Sequence, residues 1–217
     1  MVVIDAVDGF DEACEELHVL LSYSRRNQSN VRRYRAFNKA AIVLLCAKFE
    51  AFLEAFLEEY AYLHLHNSSN LTLDAPLLQH LVDCLLSSIE ECNRGRIARR
   101  NNLVKDLARL YGTTEIRPLN TYTINNKLKM GKHGQGEVQR LLNSFGFGLY
   151  VDEDDTKDFF TAFNSLNNIR NNIIHEDATP NLTHGDVENY LDIVSRFITG
   201  LHQHADNKLQ PILPATI

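Results

Sequence analysis

The stretch FNSLNNIRNNIIHED, from Phe163 to Asp177, has the periodicity of an amphipathic helix. Its apolar side chains recur every three or four residues, on one face of an α-helix; they are Phe163, Leu166, Ile169 and Ile173. At about 100° per residue, Arg170 falls within this apolar stripe, whereas His175 lies about 140° away from Arg170. An arginine on a core-facing stripe is costly unless it pairs with an anion or contacts another subunit, so Arg170 requires a partner.

The segments on both sides of this stretch also predict helices. The acidic run from Asp152 to Asp155 suits a helix N-terminus, where the helix dipole favours negative charge, and Pro180 prevents the helix from running much past His175. Thr183 and Asp186 have the spacing of a capped helix start. The last helix then presents one buried stripe, formed by Val187, Tyr190, Leu191, Val194, Phe197, Ile198 and Leu201.

A longer helix is predicted from about Val31 to Leu65. Its middle, AAIVLLCA at residues 40–47, is apolar all round, which indicates that other helices enclose it. Three glutamates then follow in one line along the helix; they are Glu50, Glu54 and Glu58. Glu54 and Glu58 are interpreted as a solvated face. Glu50 is closest to the apolar core, and because a buried carboxylate needs a cation, we expect Arg170 to be its partner.

Two further regions have helical periodicity. A first helix is predicted from Asp8, as its N-cap, to about Ser24. Middle helices are predicted within residues 74–112, where Asp74 and a following proline mark the start and Gly112 is suited to a C-cap.

Residues 113–153 are the least regular part of the chain, and we expect a flexible, irregular insertion there. Short helices are predicted only at residues 137–145 and near 124–129. The run GKHGQG at residues 131–136 lacks the strand–loop–helix setting and the Lys-Ser/Thr of a phosphate loop. The chain as a whole, residues 1–217, is predicted to be one all-α domain with an antiparallel helical bundle. The core helices of this bundle are expected at about residues 8–66 and 154–206.

The composition is that of an ordinary globular protein, with 44% hydrophobic and 23% charged residues. No apolar run approaches the roughly 18 residues of a membrane span, and the acidic N-terminal segment lacks the basic start of a signal peptide. We therefore expect a cytoplasmic protein without membrane contact, in which the four cysteines are buried thiols. The net charge of −6 argues against nonspecific coating of nucleic acid but is compatible with a local basic groove.

The motif from Arg170 to His175, RNNIIH, resembles the Arg-x4-6-His motif of HEPN domains, in which a polar residue directly follows the arginine. The segment Phe-Glu-Ala-Phe-Leu at residues 49–53 is similar to the second helix of HEPN families, particularly the RiboL-PSP-HEPN group. The resemblance covers this helix and roughly the last fifty residues. It implies an all-helical bundle of the HEPN type, and many HEPN domains are metal-independent ribonucleases.

The residue types of the motif fit metal-independent cleavage of RNA, because the nucleophile, the 2′-OH, is part of the RNA itself. His175 is the candidate for proton transfer, Arg170 for holding the phosphate, and Asn171 for orienting either group. Asn172 and Glu50 are supporting candidates. The expected products are a 2′,3′-cyclic phosphate and a 5′-OH, formed without metal or cofactor.

The resemblance also implies a homodimer with a composite active site, because one histidine cannot act as base and acid at once. A toxin or effector role in a toxin–antitoxin or antiviral system, with an antitoxin partner, is implied by the resemblance alone.

Two basic clusters are candidates for an RNA surface. Arg94, Arg96, Arg99 and Arg100 occupy seven residues, and they suit phosphates or an acidic neighbouring subunit equally well. The arginines between residues 25 and 35 are interpreted as a solvated connector in preference to an RNA-binding rim.

Other functions are weighed against a ribonuclease. The first is a non-catalytic HEPN-like module that binds RNA or protein, with Arg170 and Glu50 in a structural salt bridge and His175 exposed at a helix end. The second is a ferritin-like metal enzyme, which needs two Glu-x-x-His motifs; the chain has one, from Glu15 to His18, so no metal site is predicted.

Overall fold

The computed structural model of the chain describes residues 2–69, 71–92, 96–110, 119–128, 130–176 and 178–213. These residues form eight helices and no β-strand, which confirms the all-α fold. In chain order the helices are α1 (Asp5–Arg26), α2 (Val31–Asn67), α3 (Ala75–Glu90), α4 (Ile97–Leu110), α5 (Met130–Ser144), α6 (Gly148–Val151), α7 (Asp154–Glu176) and α8 (His184–Leu209).

Four of the helices, α1, α2, α7 and α8, form a central bundle in that cyclic order. A cluster of aromatic rings fills its middle. The ring centroid of Phe49 in α2 lies 5.5 Å from that of Phe159 and 5.2 Å from that of Phe163, both in α7, and 6.0 Å from that of Phe197 in α8. Because aromatic side chains bury large apolar areas, this cluster fixes where α7 crosses α2.

Neighbouring helices of the bundle run antiparallel. The start of α1 meets the end of α2, where the backbone N–H of Ala6 donates to Glu59 at 3.1 Å. The end of α1 meets the start of α8, where Arg25 pairs with Glu188. One end of the bundle is therefore built from the last turns of α1 and α7 and the first turns of α2 and α8. We call it the connection end, because the α1–α2 turn and the α7–α8 connection both lie there.

The starts of α3 and α8 follow the local signals in the sequence. Asp74 occupies the N-cap position of α3 and Pro76 lies in its first turn. The Thr183 hydroxyl accepts from the Asp186 N–H at 3.1 Å, and the Asp186 carboxylate accepts from the Thr183 N–H at 2.8 Å. This reciprocal pair is a capping box and confirms the predicted start of α8. The end of α7 also agrees with the prediction to within one residue of His175.

The start of α1 differs from the prediction. The helix begins at Asp5 with Ile4 in the cap position, so the N-cap predicted at Asp8 is wrong. Ile4 is 2% exposed and packs in the core. The Ala6 N–H, which a local cap would otherwise satisfy, finds its acceptor on Glu59 of α2.

Residues 113–153 contain an irregular part and a helical part. Residues 119–128 are not helical, so the short helix predicted near 124–129 is wrong as far as residue 128; residue 129 and residues 111–118 lie outside the described part of the chain. The backbone N–H of Leu128 donates to Glu54 Oε1 at 2.8 Å, so the end of this segment is held by α2.

The helical part contributes to the core, so the flexibility expected of the insertion does not extend to it. Its fully buried side chains are Val138, Leu141, Leu142, Phe145 and Phe147. Gly146, with φ 84°, ends α5. The Phe147 N–H donates to the Leu142 carbonyl and the Gly146 N–H to the Asn143 carbonyl, both at 3.0 Å. This pair of bonds is a Schellman motif, which requires a left-handed residue and therefore favours glycine.

Candidate functional site

The motif lies on the last two turns of α7. Arg170 is half-buried, and its Nη1 donates to Oδ1 of Asn171 at 2.8 Å, so the adjacent side chain orients the guanidinium. Ile169 and Ile173 are partly buried against the core and hold this face of α7 inward. His175 is exposed in the last turn of the helix.

Arg170 faces α2 at Glu50. Burial raises the pKa of the Glu50 carboxyl, the neighbouring Glu54 raises it further, and the positive charge of Arg170 opposes both effects. Within the described residues, no hydrogen bond or contact ion pair joins Arg170 to Glu50, so the expected partnership acts only through space. Apart from its bond to Asn171, the guanidinium has N–H groups without a protein partner in the described chain.

Cys46 lies on the same side of α2. Burial raises the pKa of its thiol to about 12, although the charge of Arg170 acts to lower it. The thiol therefore stays protonated near neutral pH and is not a nucleophile. The chemistry of this region consequently depends on Arg170 and on the side chains that follow it.

The end of α7 presents His175 and Asn172 to solvent. The Ala178 N–H donates to the Asn172 carbonyl at 3.1 Å and closes the helix end. Asn171 lies one turn before His175 on the same side of the helix. Asn171 therefore contacts Arg170 directly and is spaced to face His175.

Two residues of α2 that the sequence interpretation did not single out hold the α7–α8 connection. Asn38 Nδ2 donates to the Leu182 carbonyl at 2.8 Å, and the His184 N–H donates to the Tyr34 hydroxyl at 3.0 Å. Ser24 of α1 donates its hydroxyl to Asn38 Oδ1 at 2.6 Å. Asn38 is only 1% exposed, and an asparagine that continues the buried stripe of α2 was the signal available in the sequence.

The bend of α5 lies against α7 one to two turns before the motif. Gly134 has φ 46° and ψ −130°. A Cβ at Gly134 would lie 3.1 Å from Asn167 Nδ2 and 3.9 Å from Asn164 Oδ1. The close approach and the positive φ both favour glycine. The segment GKHGQG, residues 131–136, thus passes beside α7, although it is not a phosphate loop.

Glu54 is a structural residue and not part of a solvated face, contrary to the prediction. Its Oε2 accepts from Lys127 Nζ at 2.8 Å, and its backbone carbonyl accepts from Asn126 Nδ2 at 2.6 Å. These bonds, with that from Leu128, fasten the irregular segment to α2, because a non-helical segment lacks the regular backbone acceptors of a helix. Glu58 is exposed, as predicted.

The predicted basic cluster lies on a different helix from the motif. Arg96, Arg99 and Arg100 are exposed at the start of α4, which packs mainly on α3. Arg94 lies outside the described residues, as does Gly112, the C-cap expected after α4. The motif, in contrast, faces α2.

Glu15 and His18, the ends of the Glu-x-x-His motif, are exposed on α1. Within the described residues, no three His, Cys, Asp or Glu side chains are grouped in a way that could hold a metal ion. No described helix combines the length and the apolar content needed to span a bilayer.

The fold and the site together define an all-helical domain in which an Arg-x4-His motif ends one bundle helix and faces a glutamate-bearing helix. The chain belongs to the RiboL-PSP-HEPN family, whose model matches residues 9–207. The match includes the middle helices, which the resemblance of the motif did not cover. No match is found among curated proteins or solved structures.

Proposed function

We propose that the protein is a metal-independent endoribonuclease of the HEPN type. The observation that carries the proposal is the state of Arg170, a half-buried guanidinium that Asn171 orients and whose other N–H groups have no protein partner among the described residues. A phosphate is the natural ligand for such a cation, because a planar guanidinium binds it through two parallel hydrogen bonds. His175 follows about 7 Å further along the helix axis.

In the proposed reaction, the 2′-OH of the RNA attacks the adjacent phosphorus while its proton passes to an imidazole. The bond from phosphorus to the 5′-oxygen breaks, and the leaving oxygen takes a proton from an imidazolium. Arg170 offsets the charge that develops on the phosphate oxygens. The products are a 2′,3′-cyclic phosphate and a 5′-OH, and DNA is inert because it lacks the nucleophile.

We further propose that two copies of the chain share this active site, so that one His175 acts as base and the other as acid. Exposed small side chains on α2 beside Glu50 support the proposal, since they permit a second helix to approach closely. These residues are Ala36, Ala40, Ala47 and Ala51. A two-fold axis near α2 would bring the two motifs to face each other across a cleft.

Family membership supports a toxin or effector role in a toxin–antitoxin or antiviral system, with a partner protein that controls the activity. The four free thiols fit a reducing compartment such as the cytoplasm.

A second candidate is a non-catalytic module that binds RNA or protein. It is favoured by one observation: no described residue hydrogen-bonds to the His175 ring, whereas a catalytic imidazole needs its tautomer fixed.

Incubation of a mixed RNA pool with purified protein in EDTA, beside the His175→Ala variant, tests the enzymatic proposal. We expect the wild type to cleave and to leave 2′,3′-cyclic phosphate ends, and the variant to be inactive. A substrate with a 2′-deoxy nucleotide at the mapped cleavage site should resist both proteins. Equal cleavage by wild type and variant would refute a role for His175, and no cleavage by either would favour the binding module.

A further inference from the structure

The connection end of the bundle carries five arginines on α1 and α2. Arg25 pairs with Glu188 of α8, and Arg26 lies over the ring of an α1 tyrosine. Arg32, Arg33 and Arg35 of α2 are exposed, and their side chains make no hydrogen bond or ion pair with any described residue. These three guanidinium groups are therefore open to a ligand.

Two of the three lie on the face of α2 that approaches the motif. At about 100° per residue, Arg32 has the same direction as Glu50, and Arg35 lies within about 20° of Cys46. Cys46 and Glu50 are the α2 residues whose pKa values respond to the charge of Arg170. Arg33, in contrast, points about 140° away from Cys46.

Along the axis of the bundle, the same two arginines lie level with the end of the motif or beyond it, toward the connection end. Phe49 of α2 packs against Phe159 and Phe163 of the antiparallel α7. From that level, His175 lies about 18 to 24 Å and Arg35 about 21 Å toward the connection end, so the two are at about the same height. Arg32 lies about one turn further. The order along this side of the bundle is thus Arg170, then His175 and Arg35 at about the same height, and then Arg32.

The side-chain charges at the start of α2 are opposite in sign to those that a helix N-terminus favours. The first turns of α1 and α8 carry aspartates, namely Asp5, Asp8 and Asp186, whereas the first turn of α2 has no acidic residue. It carries Arg32 and Arg33 instead. Cations at the positive end of a helix dipole are unfavourable, but they strengthen its attraction for an anion.

We propose that Arg32 and Arg35 bind phosphates of single-stranded RNA next to the scissile bond and lead the strand to Arg170 and His175. The proposal rests on the RNA-directed function proposed above. The protein as a whole has a net charge of −6 and repels RNA, so a local positive track is needed to bring the strand to the motif. We prefer this track to the cluster on α4 because α2 packs on α7, the helix that carries the motif, whereas α4 packs mainly on α3.

Binding can be tested separately from cleavage in the His175→Ala background. The probe is a fluorescent 12-nucleotide single-stranded RNA, and its anisotropy is measured over a series of salt concentrations. We expect the double substitution Arg32→Ala and Arg35→Ala to weaken binding about tenfold and to reduce the salt slope by about 1.4, since each phosphate contact on a single strand contributes about 0.7. Arg33→Ala is the matched control from the same turn, and Arg96→Ala with Arg99→Ala is the matched double; both should change the affinity less than twofold.

Equal losses in the double variant and its controls would overturn the proposal, because only the total charge would then matter. So would a loss confined to the α4 variant, the absence of RNA binding at low salt, or an acidic protein that binds through Arg32 and Arg35 while RNA binding is unchanged. If RNA binds through Arg32 and Arg35 but the wild type cleaves no RNA, the proposed ribonuclease activity fails and the RNA track stands.

Discussion

His64 lies in the buried face of α2, 4% exposed, beside Tyr60 and Ser68. Neither ring nitrogen of His64, nor the hydroxyl of Tyr60 or Ser68, has a hydrogen-bond partner among the described residues. The pKa of His64 is lowered to about 4, first by burial and then by the charge of Lys208, while Asp74 opposes the shift. The ring is therefore neutral in the folded protein at pH 7, and its charged form is strongly disfavoured there.

This residue makes the stability of the fold sensitive to acid. In the unfolded chain the ring binds a proton below its ordinary pKa of 6.5, whereas the folded chain does so only near 4. The unfolded state thus binds more protons between these pH values. Because of His64, the free energy of unfolding falls by up to about 3 kcal/mol as the pH falls from 6.5 to 4. We expect His64→Leu to show a smaller loss of unfolding free energy between pH 7 and pH 4.5, measured by urea denaturation. Parallel pH curves for the two proteins would contradict this origin of the acid sensitivity.

Glu50 and Glu54 are one turn apart on α2, but their substitutions should differ. The raised pKa of Glu50 means that its ionised form is less stable in the fold than in the unfolded chain, so Glu50→Gln should not lower the unfolding free energy at pH 7. Glu54→Gln removes the charge that binds the Leu128 N–H and Lys127, and we expect a loss of about 1 kcal/mol. Thermal denaturation of both variants at pH 7 checks the difference. A larger loss for Glu50→Gln would show that its attraction to Arg170 outweighs its burial.

At the scale of the elements, the end of α5 depends on one glycine. A Cβ at Gly146 would lie 2.5 Å from Asp74 Oδ2 and 3.3 Å from Lys208 Nζ, two atoms of an ion pair, and the φ of 84° is itself unfavourable for other residues. We expect Gly146→Ala to lower the unfolding free energy by about 2 to 3 kcal/mol. Gly136→Ala, on the same helix with no atom within 4 Å of the added Cβ, is the control and should be neutral or stabilise by up to about 1 kcal/mol. Similar melting temperatures for the two variants would contradict the role of the turn.

Elements with local signals could be predicted from the sequence, and those that depend on distant partners could not. Thr183 and Asp186 mark the start of α8 because each satisfies the other within one turn. The start of α1 was misplaced because the acceptor for Ala6 is Glu59, a residue 53 positions away. Residues 124–128 likewise have a helical pattern, but bonds from Asn126 and Leu128 to Glu54 of α2 hold them in a non-helical path.

At the scale of the whole molecule, the candidate site was predicted in part. Arg170, Asn171 and His175 are read from one stretch because a motif within a single helix keeps its geometry. Tyr34 and Asn38 were missed because their partners lie in the α7–α8 connection, which only the folded bundle brings to α2. For the same reason, the sequence does not show which basic cluster lies at the connection end.

The proposed dimer can be tested on the exposed face of α2. Ala47 is exposed between Cys46 and Glu50, so the isolated subunit has room for a larger side chain there. We expect Ala47→Glu to convert a dimer into a monomer in light scattering and to abolish cleavage, with an unchanged helical circular dichroism spectrum. Ala98→Glu, at an exposed position on α4, should leave both the mass and the activity unchanged. An active monomeric variant would contradict the composite site.

The bundle draws two of its helices from each end of the chain, and this has a consequence during protein synthesis. Roughly 85 residues separate the end of α2 from the start of α7, so at about 5 to 20 residues per second α2 waits roughly 4 to 17 s for its partner. The nascent chain cannot assemble the motif against α2 until α7 has left the ribosome, and we expect it to be harmless to RNA for most of its translation. During that interval the apolar side of the α1–α2 hairpin is uncovered, and chains stalled at residue 150 should be retained by chaperones that release the full-length protein. Release of both chains at the same rate would show that the hairpin is covered in another way.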